Sequence, residues 1–362
     1  MPVSFDVQTN PDARSDAEVA TLLAAPGFGE YFTDHMVSIT WTKGQGWHSA
    51  TVKPYGPLSL DPSAAVLHYG QEIFEGMKAY RHADGSVHLF RPEMNAERFN
   101  RSAARMMLPE LPVELFVEGV RALVEVDARY VPQPEGEHSL YIRPFMIASE
   151  AFLGVRAAEE VTFLVIASPV GPYFGSDGVK GVDIWVTDEW ARAGVGGTGN
   201  AKCGGNYAAS LIAQYEGYDH GCTQVMFIEA SGKDRVEELG GMNVFLISAS
   251  GDLVTPALTG TILDGITRDT ILKVGAAQGF TTVERRLSAQ EVFDGIADGT
   301  YVEAFCCGTA AVISPISGFK SKRGEWRLPE AGYPKTLAIR DGVLDIQYGR
   351  VDDTFGWTHR VA

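Results

Sequence analysis

Between Gly194 and Tyr207 the chain reads G-V-G-G-T-G-N-A-K-C-G-G-N-Y, with six glycines in fourteen residues. The interior of a helix or strand does not carry that much glycine, because each one loses backbone entropy on ordering and offers no side chain to pack. The stretch therefore reads as a loop of special conformation, followed by a helix from about Asn206 to Gly217. A pattern search finds G-x-G-x-x-G in it, at Gly194, Gly196 and Gly199, so a dinucleotide-binding turn is one reading. That motif should end a strand and open a helix directly, inside a βαβ unit. Here Trp190-Ala191-Arg192-Ala193 precedes it and more loop follows, and no G-x-x-x-x-G-K-[ST] exists elsewhere. The second feature is Lys202, the only lysine between Lys180 and Lys233, with no carboxylate within ten residues. A lysine among Gly, Ala and Cys loses solvation, which favours the neutral amine that Schiff-base chemistry needs. An exposed loop lysine is the competing reading, and local sequence favours it.

The chain around this loop is long enough for about two domains at ~150 residues each. Its formal net charge is −16, which argues against a nucleic-acid or anionic-membrane partner, since phosphate backbones need clustered Lys and Arg. A small anion in a local basic pocket is still allowed. Cys203, Cys222, Cys306 and Cys307 form no metal-ligand spacing, so no metal is expected. Residues 1–25 lack a basic and then apolar leader, and no apolar run approaches 18 residues. The expectation is a soluble cytoplasmic protein with reduced thiols.

Residues 1–25 read as a loosely held arm. Strands are expected at Met36–Thr42, Ser139–Ala148 and Val161–Ala167, with a hairpin of Met77–His82 and Val87–Phe90 turning at Ala83-Asp84-Gly85. Pro92 opens a helix that continues through Glu93–Met107, and another follows at Pro112–Ala128. Pro169–Lys180 holds two prolines and three glycines without a period, and reads as a linker or mobile loop. Beyond it come strands Val182–Thr187 and Gln224–Glu229, and a hairpin of Met242–Ser248 with Leu253–Thr255. Helices are expected at Thr267–Gln278, Ala289–Ile296 and Pro334–Leu344. Strands and helices mix without strict βαβ alternation, which points to an α+β chain. The expected division is 1–172, a loop at 173–181, and 182–362.

The segment N-A-K-C-G-G-N-Y-A-A-S-L resembles the cofactor-lysine segment of the branched-chain amino-acid aminotransferases, fold-type IV enzymes dependent on pyridoxal 5'-phosphate. The resemblance runs along nearly the whole chain. It includes F-T-D-H-M (Phe32–Met36), L-H-Y-G-Q-E-I-F-E-G-M-K-A-Y (Leu67–Tyr80), F-R-P-E-M-N-A-E-R (Phe90–Arg98) and S-L-Y-I-R-P (Ser139–Pro144). E-E-L-G-G-M-N-V-F (Glu237–Phe245), G-I-T-R (Gly265–Arg268), G-T-A (Gly308–Ala310) and D-I-Q-Y-G-R (Asp345–Arg350) continue it. So many blocks in order reverse the balance on Lys202.

The resemblance implies a small N-terminal α/β domain and a larger C-terminal domain with a barrel-like sheet, assembled as a homodimer. It implies transfer of the amino group of leucine, isoleucine or valine to 2-oxoglutarate by a ping-pong route, with Lys202 as the cofactor lysine and proton shuttle. Tyr207 would hydrogen-bond the cofactor's phenolic oxygen, and Glu238, selected over Glu237 by the following Gly-Gly-Met-Asn, would face the ring nitrogen. Ile266 and Thr267, at the start of a helix, would meet the phosphate with Thr309 and Arg98, and Arg192 would stand near it. Unaided, Arg98 reads as a surface arginine among Arg91, Arg101 and Arg105. Phe28, Tyr69, Phe74, Tyr141 and Tyr173 would line the substrate pocket, with Arg143 as partner for a distal carboxylate and the Thr309 and Ala310 N–H groups for the α-carboxylate. Tyr141 and Arg143 are two apart in a strand and so share a face. Two positions depart from relatives: Ala311 and Ser314 replace a C-x-x-C pair found in some members, and Gly241 stands where some have Thr. A different reaction on the same fold, such as that of a D-amino-acid aminotransferase or a lyase, is the nearest alternative.

Overall fold

The computed structural model describes residues 4–173, 180–329 and 332–362. The chain divides into two compact units, Met1–Ser176 with Asp345–Ala362, and Asp177–Leu344. Each is built on one mixed sheet.

In the first unit, alternation sets the layers. Along His35–Thr42, Val37 and Ile39 point to one face and are buried. The helix Val113–Val126 covers that face, and its Gly119 brings the backbone against Val37 and Phe163. Phe99, from the helix Pro92–Arg105, completes a ring cluster with Phe116 and Phe163 at centroid distances of 5.3–5.7 Å. Burying rings of this size stabilises by roughly 1.5–3 kcal/mol each. The strand Ser139–Ala148 lies centrally, flanked by Glu160–Val170, by Met77–Arg81 and by the short strand Glu72–Phe74.

Three expectations are corrected here. The N-terminal arm is not loosely held across its described length. Asp6–Val7 pairs in parallel with Thr51–Val52, and the helix Asp16–Ala24 starts at a Ser15–Glu18 capping box. Asn10 N–H donates to His35 Nε2, and Arg14 and Arg129 both pair with Asp34, so the arm is pinned by buried polar groups. Residues 345–362 belong to the first unit and not to the second. Thr358–Arg360 adds an antiparallel strand to Val87–Phe90, and buried Tyr348 packs edge-on against Tyr80 while donating to the His138 carbonyl at 2.8 Å. At the proposed linker, Pro169 and Val170 end the strand Glu160–Val170, opposite Leu140 and Ser139. Residues 174–179 of that linker lie outside the described residues.

In the second unit the sheet curls into a half-barrel. Its order is Val236–Leu239, Gln224–Ile228, Val182–Thr187, Val312–Ser321, Tyr301–Gly308, Asn243–Ser248, Asp252–Pro256 and Thr281–Arg285. Parallel and antiparallel pairs are mixed along it, which explains why no βαβ rhythm is legible. The helix Ala289–Ala297 carries Phe293 into the core, stacked on Trp326 at 3.8 Å. Among the described residues no helix is long and apolar enough to cross a membrane.

Candidate active site

The glycine-rich loop is ordered by side chains that close on its backbone. Asn206 Nδ2 donates to the carbonyls of Thr198 at 2.8 Å and Ala201 at 2.9 Å, and its Oδ1 accepts from the Thr198 hydroxyl at 2.7 Å. A Cβ on Gly199 would lie 2.3 Å from the carbonyl oxygen of Thr261, so only glycine lets the two backbones approach there. The helix Gly204–Asp219 then begins two residues after Lys202, placing Tyr207 in its first turn. Lys202 Nζ donates to the Tyr207 hydroxyl at 2.5 Å and stands 4.7 Å from the ring centroid. Both side chains are half-buried. This is no dinucleotide turn, since the loop neither ends a strand nor opens the helix at the three glycines of that pattern.

Glu238 lies on the edge strand Val236–Leu239, fully enclosed. Its carboxylate pairs with Arg192 at 2.9 Å, and accepts from the Leu263 N–H at 2.7 Å and from Asn243 Nδ2 at 3.2 Å. Burial pushes this carboxyl up to about 7, against the opposing pull of Arg192, the Leu263 N–H and Lys202. Burial raises the neighbouring Glu237 as well, with the Thr261 hydroxyl and Arg192 opposing. A place near a phosphate is the expectation for Arg192. The structure instead gives it Glu238 and the carbonyls of Gly199 and Thr261, at 3.3 and 3.2 Å.

The remaining expected residues of this unit converge through backbone connections. Ile266 and Thr267 open the helix Ile266–Ala277, whose N-cap Gly265 offers no side-chain cap. Asn243 touches this N-cap and also faces Cys307 in the sheet, two residues before Thr309. Thr309 and Ala310 form the turn between the strands Tyr301–Gly308 and Val312–Ser321. Lys202, Tyr207, Arg192, Glu238, Ile266, Thr267, Thr309 and Ala310 thus belong to one connected structure in the second unit.

The first unit gathers a second group. Arg143 Nη2 donates to the Tyr141 hydroxyl at 3.1 Å, and the guanidinium lies 4.7 Å over the Phe74 ring. Phe28 joins at 5.5 Å from Tyr141 and 5.0 Å from Tyr173, carried there by the Gly171 N–H to Gly27 carbonyl bond. Tyr69 is not part of this group. It is exposed and donates to the carbonyl of Leu153. Arg98 is not on the surface. It is buried and held by both oxygens of Glu75, at 2.8 and 2.7 Å, with Asn95 on the same carboxylate. Sequence reasoning names no role for Glu75, Asn95, Asn206 or Asn243, although all four lie inside the blocks that carry the resemblance.

The donor set fits pyridoxal 5'-phosphate. A half-buried lysine is paired with a phenol, a buried carboxylate is held ionisable by an arginine, and an uncapped helix N-terminus is tied to that carboxylate. Comparison with known proteins agrees. The family model described as amino-transferase class IV matches residues 72–319. A branched-chain-amino-acid aminotransferase of Mycolicibacterium smegmatis is 51% identical over 99% of both chains. The branched-chain aminotransferase of Thermoproteus uzoniensis, solved with norvaline, superposes with a TM-score of 0.74 at 26% identity, covering 90% of this chain and 100% of its own. The branched-chain amino acid aminotransferase of Thermobaculum terrenum, solved in its PLP-form, shares the fold with a TM-score of 0.71 at 23% identity, over 90% of this chain and 98% of its own. With a fold-type IV architecture, a connected lysine–tyrosine–glutamate site and relatives matching end to end, the chain belongs to the class IV aminotransferases, among the branched-chain-amino-acid aminotransferases.

Proposed function

We propose that the chain is a transaminase that moves an amino group reversibly between L-leucine, L-isoleucine or L-valine and 2-oxoglutarate, giving branched 2-oxo acids and L-glutamate by a ping-pong route. The observation that carries this is the Lys202–Tyr207 pair within the same connected structure as the Arg192–Glu238 pair. Lys202, Tyr207, Glu238, Arg98, Arg192, Ile266, Thr267 and Thr309 would hold pyridoxal 5'-phosphate. When bound, that group supplies an electron sink for charge formed at the substrate Cα. With that group bound, Lys202 Nζ would take the proton from the substrate Cα and deliver it to C4' of the cofactor, and Tyr207 would hold this amine in place. Glu238, paired with Arg192, would face the ring nitrogen and favour its protonated form.

Aliphatic substrate side chains meet the aromatic walls of Phe28, Phe74, Tyr141 and Tyr173. Arg143 takes the distal carboxylate of glutamate, and the Thr309 and Ala310 N–H groups take the α-carboxylate. The protein works as a homodimer in the cytoplasm. The exposed stripe of Leu211, Ile212, Tyr215 and Tyr218 on the helix Gly204–Asp219 supports self-association, and four free thiols suit a reducing compartment.

The test is the amino-donor profile of the cofactor-loaded protein. L-Leucine, L-isoleucine and L-valine should each convert the cofactor to its amine form, while D-leucine should not. Lys202→Ala should lose multiple-turnover transamination by at least about a thousandfold. Turnover retained in that variant, or conversion by the D-enantiomer, would overturn the reading.

A further inference from the structure

The side chain of Asn243 spans two parts of the cofactor site that the chain supplies from different elements. Its Nδ2 donates to Glu238 Oε2 at 3.2 Å and to the Leu263 carbonyl at 3.1 Å. On the other side, its Oδ1 stands 2.0 Å from where a Cβ on Gly265 would be, so Asn243 and the N-cap of the helix Ile266–Ala277 are in direct contact. The Leu263 N–H closes the same circuit by donating to Glu238 Oε1 at 2.7 Å. Asn243 is itself fixed. It is 6% exposed and heads the central strand Asn243–Ser248, paired with Cys307. A planar amide with both ends engaged acts as a spacer of set width.

We propose that Asn243 is a positioning residue that fixes the separation between the Glu238 carboxylate and the N-terminus of the helix Ile266–Ala277, so that the ring and phosphate ends of pyridoxal 5'-phosphate bind as one ligand. This rests on the assignment of the site to that cofactor. A ligand with two recognised groups binds more tightly than its fragments only when the two subsites match its span, because the second contact is then intramolecular. Tolerance in such sites is on the order of half an ångström. Without the amide, Glu238 keeps Arg192 and Leu263, and the helix keeps its N–H groups. Each half remains competent, and their spacing then rests on the Leu263 N–H bond alone, without the rigid amide between them.

The experiment compares full-length wild type with Asn243→Ala, each freed of cofactor, for binding of pyridoxal 5'-phosphate, of pyridoxal and of inorganic phosphate. Affinity for the whole cofactor should fall by about tenfold or more, while affinities for pyridoxal and for phosphate each change by less than about threefold. Asn243→Ser serves the same purpose if the alanine variant does not fold. Gly265→Ala presses on the contact from the opposite side. It should weaken cofactor binding in the wild-type background and do so by a clearly smaller factor in the Asn243→Ala background, where the colliding oxygen is gone. Equal losses for the cofactor and both fragments would overturn the proposal, as would independent effects of the two substitutions. A wild-type chain that does not bind pyridoxal 5'-phosphate would overturn the cofactor assignment as well, whereas unchanged cofactor affinity in Asn243→Ala would overturn the spacer alone.

Discussion

At the scale of single residues, the balance at Glu238 decides how the site responds to pH. Burial holds its carboxyl at about 7, well above the ordinary carboxylate range, with Arg192 opposing. A carboxyl so raised is protonated below that pH in the cofactor-free chain. The anion that meets a protonated ring nitrogen is therefore present above about 7 and lost as pH falls through it. Cofactor affinity should fall as pH drops below this point, and Glu238→Gln should remove that part of the dependence. Equilibrium titration from about one and a half pH units below this point to one above it checks both. Of these residues, Lys202 and Glu238 are legible because each sits in a motif with fixed neighbours. The partner of Arg192 is not, because residues 192 and 238 meet only through tertiary packing. Arg98 misleads for the same reason. An arginine in an arginine-rich helix reads as surface until Glu75, 23 positions earlier, is seen to enclose it.

At the scale of elements, local signals succeed where they are strong. Pro92 opens its helix, and Ser139–Ala148 is a strand over the expected range. The strands Gly46–Pro54, Tyr301–Gly308 and Val312–Ser321 escape a local reading. The first is framed by Gly and Pro, and Tyr301–Gly308 is an apolar run buried on both faces, which leaves no period of two to read. The arm shows the opposite error. Its capping box, Ser15 with Glu18, is present in the sequence but outweighed by a polar composition. Ser15→Ala should raise the amide exchange rate across Asp16–Ala24 by about fivefold, as expected for loss of one N-cap, with little effect on the sheet. Hydrogen exchange resolved by peptide would show it.

At the scale of the whole molecule, the net charge of −16 says little about the second unit's site, where an uncapped helix N-terminus and the buried Arg192 stand within an acidic chain. The two units are separate accumulations of core, yet the first is made from two stretches of chain. Ending the chain at Leu344 would remove Tyr348, Trp357 and the strand Thr358–Arg360 from the first unit. That should destabilise it by about 3 kcal/mol or more while leaving strand protection in the second unit unchanged. Unfolding followed by hydrogen exchange separates the two.

The same return of the chain orders events during synthesis. Residues 177–344 are contiguous and can complete their sheet as soon as they leave the ribosome. The first unit emerges earlier but must wait with the edge of Val87–Phe90 uncovered until residues 358–360 arrive. At roughly 5–20 residues per second, that interval lasts on the order of ten seconds or more. Throughout it, the half of the protein made first is the half that finishes last, and its open strand edge is the place where a chaperone or a neighbouring nascent chain would engage.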